Sequence, residues 1–220
     1  MKKTLFAASA LAALALSAQA NAAVITLDFE GVGDLQAVGN YYNGGAGTNY
    51  GVSFSGPTLA LVDADAGGSG NFANEPTKDT IMFFLQANNA TLDFAAGFTT
   101  GFSFFYTSST AATINVWSGV GATGSILGSI NVAAQHTNNC VGDPNGTFCN
   151  WSAIGVNFAG TARSIDFGGT ANQTGYDNIT FGSSRPGGVV PEPATWAMML
   201  LGFGGMGAVL RSRRRQFATA

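Results

Sequence analysis

The sequence is poor in charge, in histidine and in cysteine. Of its 220 residues, 10% are charged, one is a histidine and two are cysteines. The single histidine, His136, is followed by Thr-Asn-Asn, and no Gly-x-Ser-x-Gly motif accompanies it, which disfavours a serine hydrolase. The two cysteines lack the Cys-x-x-Cys spacing of dithiol redox sites. The composition therefore gives little support to the commonest catalytic chemistries.

Basic residues are almost missing from the central part of the chain. Between residues 23 and 190 there are three basic and eleven acidic residues, a net charge of −8, whereas the whole chain carries −3. The other basic residues lie at the two ends. An acidic body repels phosphate groups, which argues against nucleic acid and anionic membranes as partners. Cations and neutral glycans remain compatible with this charge.

No segment between residues 24 and 183 sustains a helical apolar period, whereas many short segments alternate. Ile25, Leu27 and Phe29 fall on one face of a predicted strand, and segments 81–85 and 102–106 are apolar enough to be central strands. Glycine- and asparagine-rich turns separate such segments. About ten or eleven strands at this spacing predict an all-β fold, a jelly-roll-like β-sandwich. The order of the strands does not follow from the pattern.

The N-terminus has the three parts of a secretory signal peptide. Two lysines at positions 2 and 3 precede an apolar run from Leu5 to Leu16, and small residues around Ala20 and Ala22 offer a cleavage site. We therefore assign residues 1–22 to a signal peptide and residues 23–188 to one exported β-sandwich domain, which is long enough for a sizeable core.

The C-terminus combines a Pro-Glu-Pro step, an apolar run and a basic cluster. Trp196 precedes the uncharged segment 197–210, and arginines follow it at 211 and 213–215. An aromatic residue at one end and arginines at the other are typical of a single transmembrane helix whose basic end stays in the cytoplasm. The run spans about 23 Å as a helix, somewhat short of a hydrocarbon core of about 30 Å, and predicts a weak anchor.

This tail resembles the PEP-CTERM sorting signal of bacterial exported proteins, in the form with tryptophan and alanine after the PEP step. The resemblance covers residues 189–215, with a short tail at 216–220, and implies an exosortase as partner, transient anchoring in the inner membrane, and delivery to the cell surface or outside the cell. An ordinary single-pass tail anchor is the alternative. The residues that carry the resemblance are Pro191, Glu192, Pro193, Trp196, Arg213, Arg214 and Arg215.

The two cysteines are predicted to form a disulfide. Cys140 and Cys149 flank the turn sequence Asp-Pro-Asn-Gly at 143–146, and an exported compartment does not keep thiols reduced. A ring of about ten residues contributes somewhat under about 3 kcal/mol in the loop-entropy account. The bridge is expected to hold a surface loop.

Two acidic residues are candidates for a structural calcium site. Glu30 after the first strand and Asp177 at the start of the last resemble, in placement, the calcium ligands of carbohydrate-binding β-sandwiches, and carboxylate oxygens suit Ca²⁺. The alternative is a solvated Glu30 and an Asx turn at Asp177. Asp63 and Asp65, before a glycine-rich loop, form a second and weaker candidate. No other cofactor is indicated.

These features together predict a non-enzymatic exported protein of the cell surface or the extracellular matrix, associated with biofilm exopolysaccharide. Parts of the body also resemble a domain that recurs in proteins with this tail, for which the resemblance implies no activity. A calcium-dependent carbohydrate-binding module is the alternative, with a polysaccharide-active enzyme or an ice-binding protein less favoured. Six aromatic residues could stack on sugar rings, although a place in the core is favoured: Tyr41, Tyr42, Tyr50, Tyr106, Trp117 and Trp151.

Overall fold

The computed structural model describes residues 24–137, 140–141, 146–188 and 203. All nine elements found there are β-strands, which confirms the all-β prediction. The strands are β1 (Ile25–Leu27), β2 (Val52–Phe54), β3 (Thr58–Val62), β4 (Thr80–Phe84), β5 (Asn89–Ser108), β6 (Ala112–Trp117), β7 (Ile126–Val132), β8 (Ser152–Gly168) and β9 (Thr174–Phe181).

The described residues contain no helix that is long and apolar enough to span a membrane. The predicted signal peptide and, apart from Phe203, the predicted transmembrane helix lie outside the described residues.

The strands form two antiparallel layers that share β5 and β8. In layer I the order is β2, the first part of β5 (residues 89–94), the last part of β8 (residues 164–168), β6 and β7. In layer II the order is β3, β4, β9, the second part of β5 (residues 98–108) and the first part of β8 (residues 152–162), and β1 also pairs with β9.

The two long strands pass from one layer to the other at irregular points. The register between β5 and β8 shifts between Asp93 and Phe98 and again before Thr100. Gly97 and Gly160 lie at these shifts with φ angles of 80° and 93°, a region that glycine adopts readily. A Cβ atom at Gly97 would lie 2.5 Å from the Cγ2 atom of Thr161. The bend therefore requires a residue without a side chain.

The space between the layers is filled by aromatic rings. Phe167 of layer I contacts Phe102, Phe104 and Tyr176 of layer II, with ring centroids 4.9 to 6.2 Å apart and edge-on geometry. All four rings are at most 1% exposed. Each fully buried ring of this kind stabilises the fold by about 1.5 to 3 kcal/mol, and this packing makes the two layers a β-sandwich.

The alternation in the sequence predicted the core correctly, but not the number of strands. Leu27 and Phe29 are buried on one face, and β4 and the second part of β5 are central strands as expected. The described residues form nine strands, because β5 with 20 residues and β8 with 17 run through bulges where shorter strands were expected. A bulge interrupts the alternation without ending the strand.

The outer side of layer II carries a second apolar cluster beneath two covering segments. Ile81 and Phe83 of β4 point away from the main core, and segments 71–75 and 146–151 lie over them. Phe72 packs edge-on against Trp151, with ring centroids 6.3 Å apart, and the indole N–H of Trp151 donates to the carbonyl of Ala73. We call this side, with Ile81, Phe83, Gly175 and Asp177, the covered face.

The predicted disulfide is present and ties one of the covering segments. Cys140 and Cys149 are bonded, with their Cα atoms 5.0 Å apart, and Cys149 is 2% exposed. Its backbone N–H donates to the carbonyl of His136. The bridge therefore holds segment 146–151 at the edge of the apolar cluster, rather than an isolated surface loop.

Candidate functional site

The pairing of the first and last strands brings the two predicted calcium ligands to one end of layer II. β1 pairs with β9 so that Leu27 lies opposite Ile179. Glu30 follows shortly after β1, and Asp177 lies two positions before Ile179 in β9. The segment from Thr77 to Thr80 passes between them and contacts both carboxylates. Glu30 and Asp177 thus belong to one site.

Asp177 is fully buried and binds the beginning of this segment. One carboxylate oxygen, Oδ2, accepts the backbone N–H of Thr77 at 3.0 Å, and both oxygens lie within 2.9 Å of the Thr77 hydroxyl. Oδ1 also accepts the backbone N–H of Asn178 at 2.6 Å. Asn178 has a φ of 50°, a conformation that asparagine tolerates better than most residues. The contact between Asp177 and Asn178 is local, whereas the contact with Thr77 bridges 100 positions of the chain.

Glu30 binds the end of the same segment. Its Oε1 accepts the backbone N–H groups of Asp79 and Thr80 at 3.2 and 3.1 Å, and its Oε2 lies 3.4 Å from the Thr80 hydroxyl. Two successive N–H groups on one carboxylate oxygen are strong, charge-assisted contacts. Glu30 therefore fixes the point at which the chain, having left the covering segment 71–75, enters β4, and is not simply solvated.

The electrostatics of the site disfavour two negative charges. Burial raises the pKa of the Asp177 carboxyl to about 7, against the lowering effect of the hydrogen bonds from Thr77 and Asn178, and the charge of Glu30 raises it further. Neither carboxylate forms an ion pair with a described cationic side chain. Protonation of Asp177 or binding of a cation would relieve this repulsion.

The oxygen atoms at this site fit a hard cation only in part. Two carboxylates and the hydroxyl of Thr77 are ligands that Ca²⁺ accepts, but Ca²⁺ takes six to eight oxygens. Within the described part of the chain, no three histidine, cysteine or acidic side chains come together in a metal-binding group. A calcium ion here would need carbonyl or water oxygens in addition, and the calcium site stays a prediction.

Thr77 and Thr80 provide the hydroxyl contacts of the site and were not predicted from the sequence. The polar run from Thr77 to Thr80 directly before an apolar strand is the signal that could have found them, because threonine and aspartate there can bond to nearby backbone and carboxylate groups. Sequence spacing could not connect this run with Glu30, 49 positions earlier.

The second candidate pair, Asp63 and Asp65, lies in an acidic cluster and differs in burial. Asp63 is buried at the end of β3, whereas Asp65 is exposed in the following turn. Glu75 lies near both and near Asp79, and its pKa is raised to about 7 by burial first and by these three carboxylates second. The cluster is acidic, with no described group of three metal ligands in it.

The contacts of His136 are with residues near the disulfide. Its ring lies 5.6 Å from the ring of Phe148, centroid to centroid, and its carbonyl accepts the N–H of Cys149. These contacts place it beside the covering segment 146–151, near the disulfide.

The six aromatic candidates divide between core and surface. Tyr42 and Tyr106 are buried, 4% and 5% exposed. The phenol of Tyr42 accepts the N–H of Phe29, and its ring stacks near Tyr50. The other four candidates are half-buried: Tyr41, Tyr50, Trp117 and Trp151.

Comparison with known families identifies the C-terminal tail. The model of the PEP-CTERM protein-sorting motif matches residues 189–215, the range that the sequence predicted. Apart from Phe203, the residues assigned to the motif, from Pro191 to Arg215, lie outside the described residues. The match covers the tail and leaves the body unassigned. A search of curated proteins found no match.

Solved structures with partial similarity to the chain are carbohydrate-binding modules. A family 6 module from Clostridium stercorarium in complex with cellobiose is 19% identical with a TM-score of 0.36, over 59% of this chain and 85% of that one. A β-1,3-glucan-binding family 6 module from Bacillus halodurans is 16% identical with the same TM-score, over 57% and 84%. These values are too low to transfer a ligand or a site.

Proposed function

Since residues 189–215 are a PEP-CTERM sorting signal, which marks an exported protein sorted by an exosortase, we propose that the chain is a non-enzymatic component of the cell surface or extracellular matrix. The single observation that supports the proposal is the match of the tail to the sorting motif. In this proposal the signal peptide directs export, the C-terminal helix holds the chain briefly in the inner membrane, and the exosortase releases or attaches the β-sandwich. We propose that the β-sandwich domain, once delivered to the cell surface, lies within exopolysaccharide.

The experiment that tests sorting changes Pro191, Glu192 and Pro193 to alanine in a bacterium that has an exosortase. We expect the variant to stay unprocessed in the inner-membrane fraction, while the parent chain reaches the surface or the medium. Pro186→Ala provides a control, because Pro186 lies just before the motif. Normal surface delivery of the triple variant would contradict the proposal.

The second candidate function is calcium-dependent carbohydrate binding. The observation that favours it is the convergence of Glu30 and Asp177 on the segment from Thr77 to Thr80. Lys78 in this segment is exposed, and among the described residues no cationic side chain forms an ion pair with either carboxylate. Bound Ca²⁺ would neutralise both and fix the covering segment.

Thermal unfolding of the full chain in detergent micelles, with calcium and with a chelator, tests this candidate. A cation that binds only the folded protein raises the melting temperature, and the stabilisation grows with the logarithm of its concentration once this exceeds the dissociation constant. We expect the rise to disappear in Glu30→Gln and to persist in Glu75→Gln, a matched acidic control. An equal melting temperature with calcium and with chelator would overturn it.

A further inference from the structure

The outer side of layer I is a polar surface built from four neighbouring strands. In β5, β8, β6 and β7 the residues that alternate with the buried ones carry amide, hydroxyl or carboxylate groups, and the register places them side by side. Thr91 lies opposite Asp166, Asp166 opposite Asn115, and Asn115 opposite Ser129. We call this side the open face; its members are Asn89, Thr91, Thr113, Asn115, Ser129, Asn131 and Asp166.

Hydrogen bonds between side chains hold the open face in order. The hydroxyl of Ser129 donates to the amide oxygen of Asn115 at 2.7 Å, and the hydroxyl of Thr113 donates to the amide oxygen of Asn131 at 2.9 Å. Both amide groups therefore keep their N–H donors for a ligand. Because the side chains already have partners, less rotamer freedom is lost on binding.

Asp166 supplies the acceptor at the centre of the open face. One of its oxygens, Oδ1, accepts the amide N–H of Asn89 at 3.1 Å. The Asp166 carboxylate is half-buried and lies between Thr91 and Asn115 on the neighbouring strands, and its second oxygen, Oδ2, is an acceptor for a ligand. A ligand whose groups both donate and accept hydrogen bonds matches this mixture, and a hydroxyl group does both.

The open face is bordered by a depression at one end and by apolar side chains at the other. Residues 111–113, 131–132 and 168–169 line an open depression of about 430 Å³. Gly168 is one of the lining residues, and a Cβ atom there would lie 2.8 Å from the carbonyl oxygen of Thr113. At the opposite end Trp117 lies beside Ile126, which is 50% exposed. Apolar surface next to hydroxyl-binding groups suits the faces and edges of sugar rings.

The charge of the open face decides between ligand classes. The four strands present two carboxylates on this side, Asp166 and, farther along β5, Asp93, which accepts the backbone N–H of Gly121. They present no lysine or arginine there, and the body as a whole carries a net charge of −8 between residues 23 and 190. An anionic polymer would be repelled. A neutral polyhydroxylated polymer is not repelled, and its hydroxyl groups can bond to both the donors and the acceptors of the open face.

We propose that the open face and its adjoining depression bind a neutral polysaccharide chain. The inference rests on the proposed surface location, because only an exported body meets such polymers. Its site is separate from the one formed by Glu30 and Asp177, on the other layer of the sandwich, and does not involve the sorting motif.

The experiment measures retention of the full chain, in detergent micelles, in native gels that contain xylan, laminarin or alginate. We expect retardation by at least one of the two neutral polymers and none by alginate, which is anionic. The double variant Asn115→Ala with Asp166→Ala should weaken binding at least tenfold. Asn115→Asp, which keeps the shape but removes the N–H donor, should weaken it as well.

Asn157→Ala is the matched control, because Asn157 is an exposed asparagine on the layer II part of β8. It should bind as the parent does. Retardation by alginate alone, no retardation by any polymer, or equal binding by the parent and the double variant would each overturn the proposal. Sorting is measured by cell fractionation, so a failure of binding is distinguishable from a failure of sorting.

Discussion

The two outer sides of the sandwich differ in what lies over them. The covered face of layer II carries Ile81 and Phe83, and two segments with Phe72 and Trp151 close over them. The open face of layer I carries amide, hydroxyl and carboxylate groups, and its register pairs polar residues across four strands. The residues named for the covered face lie on β4 and β9, whereas those of the open face lie on β5, β8, β6 and β7; the two layers share β5 and β8.

This difference separates structural from functional roles. Apolar side chains need a cover, and the chain supplies it with a disulfide and a pair of carboxylates that hold the covering segments. Polar side chains that bond to one another need no cover, and remain available to a ligand. Changes on the covered face should therefore act on stability, whereas changes on the open face should act on binding.

The largest effect is expected from the titration of Asp177 on the covered face. Burial raises its pKa to about 7 from an ordinary value of 3.8, so the folded protein holds a proton that the unfolded chain releases. The stabilisation is complete below about pH 4 and is lost as the pH rises to about 7, a change of about 4 kcal/mol.

Chemical unfolding of the full chain between pH 4 and 8, with a chelator present, measures this loss. Asp177→Asn should flatten the profile, because a neutral amide does not titrate. Glu75 also has a pKa raised to about 7 and contributes in the same direction, so the comparison is between the profiles of Asp177→Asn and the parent. Identical profiles would show that Asp177 does not control the covered face.

Removing an aromatic ring from the cover is the next largest change. Phe72 is 1% exposed and packs on Trp151, and Phe72→Ala should lower the free energy of unfolding by about 3 kcal/mol through lost burial and the cavity left behind. Thr91→Ala on the open face is the matched comparison, with an expected change below about 0.5 kcal/mol. Similar losses for both variants, measured by denaturant unfolding, would remove the distinction between the two faces.

The disulfide is expected to contribute slightly less. Replacing Cys140 and Cys149 together by serine should lower the free energy of unfolding by about 2.5 kcal/mol, as expected for a closed ring of about ten residues. The double replacement should also expose the ring of Trp151, which tryptophan fluorescence would report as a red shift. An unchanged spectrum and stability would mean that the cover holds without the bridge.

The smallest effect on stability is expected on the open face. Ser129→Ala removes one exposed hydrogen bond to Asn115, and should change the melting temperature by no more than about 2 °C. The same variant should weaken retention in the neutral polymer gel, because the amide of Asn115 is then no longer held. A large loss of stability with unchanged retention would reverse the roles assigned to the two faces.

The sequence predicted much of the fold but little of the candidate sites. Alternation identified Leu27, Phe29 and the central segments near Phe83 and Phe104, because burial on one side of a strand leaves a period of two. It did not predict that β5 and β8 cross between layers. The glycines that allow the bends, such as Gly97, cannot be distinguished by sequence from glycines in ordinary turns.

The pairing of distant residues was predictable only in part. Glu30 and Asp177 were placed together by resemblance to other sandwiches, and the pairing of β1 with β9 agrees with that placement. Their shared partner, the segment from Thr77 to Thr80, was not predicted. Its polar residues resemble those of any surface loop until the fold places them between two carboxylates.

Four features follow from the amino-acid sequence alone: the sorting signal at 189–215, the strand-forming composition, the acidic charge of the body and the disulfide between Cys140 and Cys149. Each of these depends on residues that are near one another in the chain or on simple counting. The fold is needed to see which outer side is covered, which is open, and that Asn115 and Asp166 lie side by side. Strand register over long separations sets those neighbours, and many registers satisfy the same alternating pattern.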